Sequence, residues 1–275
     1  MRYPVDVEDK HVSEETFHDK WAKEINPSEL LVYETFESIT AVENKYALST
    51  FGDIAGKALL DLGCGAGETS VYFALKGAKV TAVDISAEML KITEKLSNQY
   101  GVNVITIRSV VEKLEFPNSS FDYVFGNGVL HHVQLNQSIK EIKRVLKPNG
   151  KAIFVEPLNH NPLIHVYRIL AKNVRTPTEH PFEFKDFKLV KKHFGRVTHR
   201  EFWLFSLLIF VIFLCKGAHP SRERYWKKII VEGEKYKKSY TFLKKIDDFI
   251  LKLFPFLGRF CWNTVIVLEN NFQHK

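Results

Sequence analysis

Cysteine is scarce in this chain and poorly spaced for its usual structural roles. Cys64, Cys215 and Cys261 form no CxxC pair and no zinc-type grouping, which argues against a disulfide framework or a thiolate metal site. No metal is expected. The opening residues MRYPVDVEDK lack the apolar run of a secretory signal, so a reducing, cytoplasmic setting is the expectation. An apolar run of roughly 20 residues, the length that spans a bilayer, is missing as well. The longest, Phe202 to Cys215, falls short. There is no internal repeat and no low-complexity tract. Most of the chain also lacks a charge of one sign: residues 1–195 hold 24 Lys and Arg against 25 Asp and Glu, whereas residues 196–275 hold 15 against 7. A basic excess confined to one end points to an acidic partner surface, lipid headgroup or nucleic acid, or to an ordinary solvated face.

What is present suits a globular protein of one or two domains. The chain has 275 residues, of which 45% are hydrophobic and 26% charged. In residues 1–56, Phe17, Trp21 and Ile25, then Leu30, Tyr33 and Phe36, recur at helical spacing, predicting an N-terminal helical cap. Between 57 and 157 short apolar runs (KALLDL, AKVTAVDI, VNVITIRS, FDYVFGN, KAIFVEP) alternate with amphipathic segments. One of these segments begins at Ser86, a good N-cap, and stops at Gly101. Such alternation predicts a parallel sheet covered on both faces. Beyond it, a helix from Asp186 to Phe194 should lead to a sixth strand in VTHREFWLF, and CWNTVIVLE at 261–269 should supply a seventh. The expected organisation is a cap over 1–56, an α/β core over 57–205 with a substrate cover at 158–195, an apolar and basic helical insertion over 206–260, and a last strand and tail over 261–275.

Chemistry concentrates where the first strand ends. Asp61-Leu-Gly63-Cys-Gly65-Ala-Gly67 opens a helix whose free N–H groups and positive dipole face a ligand, and glycine lets the backbone come close to it. Asp84 ends the next strand, in position to accept both hydroxyls of a ribose. A dinucleotide oxidoreductase would carry a third glycine at position 68, where this chain has Glu68, and would not place Asp61 two residues before the first glycine. An acidic motif suits a cationic ligand better than a pyrophosphate. S-adenosylmethionine (SAM), with its sulfonium and ammonium groups, is such a ligand.

These motifs resemble those of class I SAM-dependent methyltransferases, in particular the ubiquinone/menaquinone-biosynthesis (type 11) branch. LLDLGCGAG and TAVDIS match the first two motifs, VVEKLEFPNSSFDYVFGNGVLHHV the segment around the fourth strand, and RVLKPNGKAIFVEP the fifth. The resemblance covers residues 58–157. It implies a Rossmann-like, doubly wound sheet of seven strands, mostly parallel with an antiparallel last strand. It implies SAM as cofactor and S-adenosylhomocysteine as product. Gly63, Gly65 and Gly67 would line the methionine side with Asp61 beside them, Asp84 would hold the ribose, Ile85 would pack on the adenine, and Asn127 would offer backbone near the methionyl group. The acid that family members place after the third strand is absent; Val110 and Val111 stand there, leaving the Val111 backbone or the Glu112 side chain as candidates for the adenine contact.

Methyl transfer needs alignment, exclusion of water and, for a protic acceptor, a base. His131 follows the fourth strand at the carboxyl edge of the sheet, where ligands of open α/β sheets bind; its neighbour His132 is the alternative. In Thr176–Phe182, Glu179 and His180 form a second candidate base, with His160 and Tyr167 as further pocket candidates. No DPPY-like segment follows the fourth strand, which disfavours DNA amines as targets. The run Phe202 to Cys215 should be a helix buried in protein or lying in a membrane interface. Phe242, Leu243, Ile246, Phe249, Ile250, Leu253 and Phe254 recur at helical spacing among Lys244, Lys245 and Lys252, which fits an interfacial helix as well as one packed on the core. A small lipophilic acceptor (isoprenoid, quinone, lipid or polyketide-like) and a peripheral position on an anionic membrane are therefore expected. An RNA methyltransferase using the basic end, or a SAM-binding protein without methyl transfer, are the alternatives. The oligomeric state is left open.

Overall fold

The fold is taken from a computed structural model, which describes residues 7–171, 175–176 and 178–270. Seven strands form one sheet in the order β3-β2-β1-β4-β5-β7-β6. They are β1 (Ala58–Leu62), β2 (Lys79–Asp84), β3 (Val104–Arg108), β4 (Phe121–Asn127), β5 (Leu146–Pro157), β6 (Arg196–Phe202) and β7 (Asn263–Glu269). β1 to β5 pair in parallel, and β7 runs antiparallel between β5 and β6. This is the mostly parallel, doubly wound arrangement that the motifs implied.

Both faces of the sheet are buried, which explains why its central strands read as continuous apolar runs. On β5, Ile153 and Val155 join one core cluster while Ala152 and Phe154 join the other; on β7, Val265 and Val267 divide from Ile266 and Leu268 in the same way. The first cluster packs under α3 (Val42–Phe51) and α4 (Glu68–Leu75), with Phe51, Phe73 and Phe125 in mutual ring contact. The second packs under α6 (Leu135–Val145) and α8 (Asp186–His193) through Ile139, Ile142, Phe187 and Val190. The edge strand β6 is exposed at alternate positions and places Arg196 and Arg200 there, a pattern that discourages pairing with another chain.

Three helices, two of them before β1 and one after β5, frame the carboxyl edge of the sheet. α1 (Val7–Ala22) lies across α5 (Ala87–Gln99) and is tied to the strand ends. Ser86 Oγ donates to Asp19 at 2.6 Å, Arg108 meets Glu15, and His11 approaches Glu112 at 3.3 Å. The second N-terminal helix expected around Leu30–Phe36 is only the short α2 (Glu34–Glu37). α7 (Pro162–Leu170) follows β5, its first turn capped by Asn161, whose side chain accepts from Leu163 N at 2.9 Å.

Between β6 and β7 come α9 (Leu208–Cys215), α10 (Tyr225–Val231) and α11 (Lys237–Leu253). The apolar run ending at Cys215 is split between the end of β6 and α9. Ile209, Phe210 and Phe213 turn inward, the two Phe rings meeting Trp203, Tyr225, Tyr236 and Trp262, while Leu208, Val211 and Leu214 stay 43%, 42% and 44% exposed. Among the described residues no helix is long and apolar enough to cross a membrane. α11 is pinned by a polar residue. Buried Asp247 accepts from the backbone N–H groups of Leu204, Phe205 and Ser206 and from the Ser206 hydroxyl. That contact sets the rotation of α11, so Phe242, Phe249 and Leu253 point outward at 65%, 60% and 54% exposure.

Candidate active site

A cleft of about 870 Å³ opens at the carboxyl edge of β1, β2, β4 and β5, roofed by α1 and walled on its far side by α7 and the segment before α10. Its floor is the loop from β1 to α4. Gly63, Gly65 and Gly67 have φ of 62°, 53° and 88°, a region that favours glycine. A Cβ at Gly67 would stand 2.7 Å from Thr93, and one at Gly63 2.9 Å from Val129; at Gly65 it would meet nothing within 4 Å and would project into the cleft. Thr93 Oγ1 donates to Gly65 O at 3.0 Å and holds the loop open.

Asp84 organises this floor from the end of β2. One of its carboxylate oxygens accepts from Gly65 N and the other from Ser86 N, both at 2.9 Å. It is buried on the cleft wall, and burial pushes its carboxyl above the usual range against those N–H contacts. Asp61 lies underneath, 1% exposed, where Thr69 and Ser70 donate to it at 2.6 and 2.5 Å. Burial pushes it up to about 6. Its direct work is to anchor the start of α4. Glu68, at the first position of α4, accepts from Leu31 N at 2.7 Å and puts a carboxyl on the cleft wall. These features fit SAM: an open cradle at Gly65, a buried carboxylate at Asp84 on the cleft wall, and acidic groups for a cationic ligand.

The opposite half of the cleft holds a histidine–carboxylate cluster. Glu156, the last acidic residue of β5, is fully buried; one oxygen accepts from Val129 N at 3.0 Å and Leu130 N at 2.7 Å, and the other lies 2.8 Å from His131 Nδ1. The strand end thereby fixes the turn after β4 and the orientation of the imidazole, whose Nε2 is 3.7 Å from Glu179. Burial pushes Glu156 up to about 7 and His131 down to about 3, the latter reinforced by the charge of Arg168. His131 is thus neutral around pH 7. His132 lies beside it at 4.0 Å between centroids, its ring tilted by 42°, with Nδ1 3.1 Å from Glu14 on α1 and 3.3 Å from the Thr176 hydroxyl. His131, His132 and Glu179 offer donor atoms within 4.8 Å of one another, but Glu179 is already met by the Arg175 guanidinium.

Most residues singled out in the sequence meet on this cleft: Gly63, Gly65, Asp84, Ile85, Val111, Glu112, Asn127, His131 and Glu179 line it, as does Tyr167. Asp61, Gly67 and His180 are not on its wall. His180 is exposed, and its backbone N–H donates to His131 O at 2.7 Å, so it steadies the loop. His160 lines a separate small depression, and Pro177 lies outside the described residues. Both Glu112 oxygens have a partner, one accepting from Gln134 N at 2.7 Å and the other 3.3 Å from His11, and Glu112 and Val111 both line the cleft. Sequence reasoning missed Glu156, Glu14, His18 and Trp21. Glu156 carried a signal, since an acid inside an otherwise apolar strand end must be satisfied by partners.

Comparison with known proteins agrees with this geometry. Residues 60–154 match the family described as a methyltransferase domain. The chain is 40% identical over 120 residues to a demethylmenaquinone methyltransferase of Chlorobaculum parvum, covering 42% of this chain and 48% of that protein. It is 33% identical over 147 residues to a ubiquinone biosynthesis O-methyltransferase of Xanthomonas euvesicatoria, covering 51% and 60%. It thus spans about half the length of the curated relatives it matches. Among solved structures, the YcgJ protein of Bacillus subtilis is 19% identical with a TM-score of 0.53, covering 84% of this chain and 98% of that one. A phosphoethanolamine N-methyltransferase of Haemonchus contortus, solved with phosphomonomethylethanolamine and S-adenosylhomocysteine, is 19% identical with a TM-score of 0.58, covering 94% and 60%. At these identities the two structures speak for the fold.

Proposed function

With residues 60–154 forming a class I methyltransferase domain, we propose that this chain is a SAM-dependent methyltransferase acting on a small lipophilic acceptor at a membrane surface. SAM, when bound, supplies an electrophilic methyl group. Gly63, Gly65 and the N-terminus of α4 hold its methionine end, Asp84 its ribose and Ile85 and Val111 its base; α1 roofs the cleft and excludes water. The quinone-biosynthesis roles named for the Chlorobaculum and Xanthomonas relatives favour a phenolic or enol-like acceptor. Such an acceptor loses a proton as its nucleophilic atom is methylated, and His131 accepts that proton at Nε2.

The protonation of Glu156 decides whether His131 can do so. An ionised Glu156 receives a hydrogen bond from Nδ1–H, leaving the Nε2 lone pair free toward the cleft. A protonated Glu156 donates to Nδ1 instead, which puts the hydrogen on Nε2 and removes the base. Because the folded Glu156 titrates at about 7, kcat should rise with pH through an apparent midpoint near 7 and level off above it. A pH–rate profile under saturating substrate checks this; a flat profile between pH 6 and 8 contradicts it.

The observation that carries the lipophilic and membrane part is the outward apolar stripe of α11, Phe242, Phe249 and Leu253, continued by Phe254 and Phe256 and interleaved with lysines. An outward apolar stripe beside cations matches an interface between acyl chains and anionic headgroups. On the cleft side of the same insertion, the aromatic packing of α9 reaches Trp203 and Trp262, both on the cleft wall. Vesicle flotation tests it: the protein should bind vesicles containing 30% phosphatidylglycerol, and the triple change Phe242→Ser, Phe249→Ser, Leu253→Ser should weaken binding by about tenfold or more, given the apolar area removed. Equal recovery with the triple variant, or no binding by the parent protein, would overturn this part of the proposal.

A further inference from the structure

The cleft wall carries positive charge that the methyltransferase reading does not use. Arg168 on α7, Arg175 after it and Arg224 just before α10 all line the cleft. Tyr167 also lines the cleft and feels the charges of Arg224 and Arg175, while Arg168 feels Arg175. Arg175 is answered by Glu179. The other two are not. Arg168 donates to the Asn159 amide oxygen at 3.1 Å and to Leu158 O at 3.4 Å, both neutral acceptors. Arg224 lies over the Trp21 ring, 3.6 Å from its centroid. Among the described residues, neither forms an ion pair with a carboxylate.

Glu24 weighs on Arg224 only from beyond ion-pair distance, and other acids are committed elsewhere. Glu14 is taken by His132, Glu112 by Gln134 N and His11, Glu43 by Trp203 and Asn263, and Glu68 by Leu31 N. Arg168 and Arg224 are half-buried, and charge drawn out of water without an ion-pair partner is costly. Burial accordingly pulls Arg168 down to about 9 and Arg224 to about 10. Guanidinium retains its charge in either case and presents donors in a fork that matches carboxylate and phosphate oxygens.

We propose that the cleft recognises an acceptor bearing an oxyanion, a carboxylate or a phosphate, held against Arg168 and Arg224, with the rest of the molecule running toward the apolar insertion. Arg168 is the charge that weighs most on His131, so the oxyanion sits near the base and fixes which atom of the acceptor faces it. This inference rests on the proposed lipophilic acceptor and deepens it to an amphiphile with an acidic head.

The full-length protein, saturated with S-adenosylhomocysteine, is titrated calorimetrically with decanoate, decyl phosphate, decan-1-ol and butanoate below micelle-forming concentrations. At least one decyl anion should bind about tenfold or more tightly than decanol, and the tighter of the two identifies the head group. Arg168→Gln and Arg224→Gln should each remove most of that preference, Arg168→Lys should keep part of it, and none should change the S-adenosylhomocysteine affinity. Decanol binding as tightly as both anions, or a preference that survives both glutamine variants, overturns the inference. Butanoate binding as tightly as decanoate overturns the lipophilic reading while leaving the anion site standing. Failure of all four probes to bind overturns both.

Discussion

Replacing Glu156 with glutamine should cost about 10²–10⁴-fold in kcat, the range associated with loss of general-base catalysis, and should leave SAM affinity nearly unchanged. The geometry specifies why such a small change is so damaging. One Glu156 oxygen receives two backbone N–H groups, from Val129 and Leu130. In Glu156→Gln the amide oxygen must stay there, because an NH2 facing two N–H donors would leave buried donors unsatisfied. The NH2 then faces His131 Nδ1 and donates to it, which locks the hydrogen on Nε2. The imidazole keeps its place but is held in the tautomer that cannot accept a proton. The variant should also lose the rise in kcat near pH 7, since the titrating group has gone. A merely structural Glu156 would alter thermal stability and leave the shape of the pH profile alone.

The second large effect falls on the other half of the cleft. Asp84→Asn should weaken SAM binding by about 10²-fold, with the loss in Kd and in KM for SAM rather than in kcat. Each Asp84 oxygen accepts one backbone N–H, from Gly65 and from Ser86. Asparagine has one acceptor oxygen, so its NH2 must confront one of those donors, and the lost charge weakens any bond to a ribose hydroxyl. A hydrogen bond to a charged group is worth about 1.5–3 kcal/mol and an unsatisfied buried donor costs about 1–3 kcal/mol; together they give the expected order of magnitude. Calorimetric titration of SAM into both proteins checks it. An unchanged Kd would remove Asp84 from the binding site.

The two halves of the cleft were not equally legible in the sequence. The floor was, because a glycine loop between a buried strand and a helix, followed by an acid at the end of the next strand, is a local pattern that survives without tertiary information. The strand segments read from apolar runs all occur, including β7, whose pattern in CWNTVIVLE is that of a strand buried on both faces. The far half depends on contacts between residues far apart in the chain. His132 and Glu14 are separated by most of a domain, and nothing in the composition of α1 announces that its buried Glu14 reaches the turn after β4. Glu179 was read as a base, yet its neighbour in space is Arg175 as well as His131. Periodicity located the α11 stripe but not its direction. Asp247, an unremarkable acid in sequence, is buried against three backbone N–H groups and turns that stripe outward.

Methyl transfer from SAM to a lipophilic, protic acceptor, with His131 as base, leaves two products that can be followed together. The most direct measurement is incubation of the full-length protein with methyl-labelled SAM and a membrane lipid extract, followed by mass spectrometry of the organic phase. The account predicts a labelled species in that phase, formed together with an equal amount of S-adenosylhomocysteine and lost with Glu156→Gln. Label appearing only in added RNA, or no S-adenosylhomocysteine above the enzyme-free control, would contradict it.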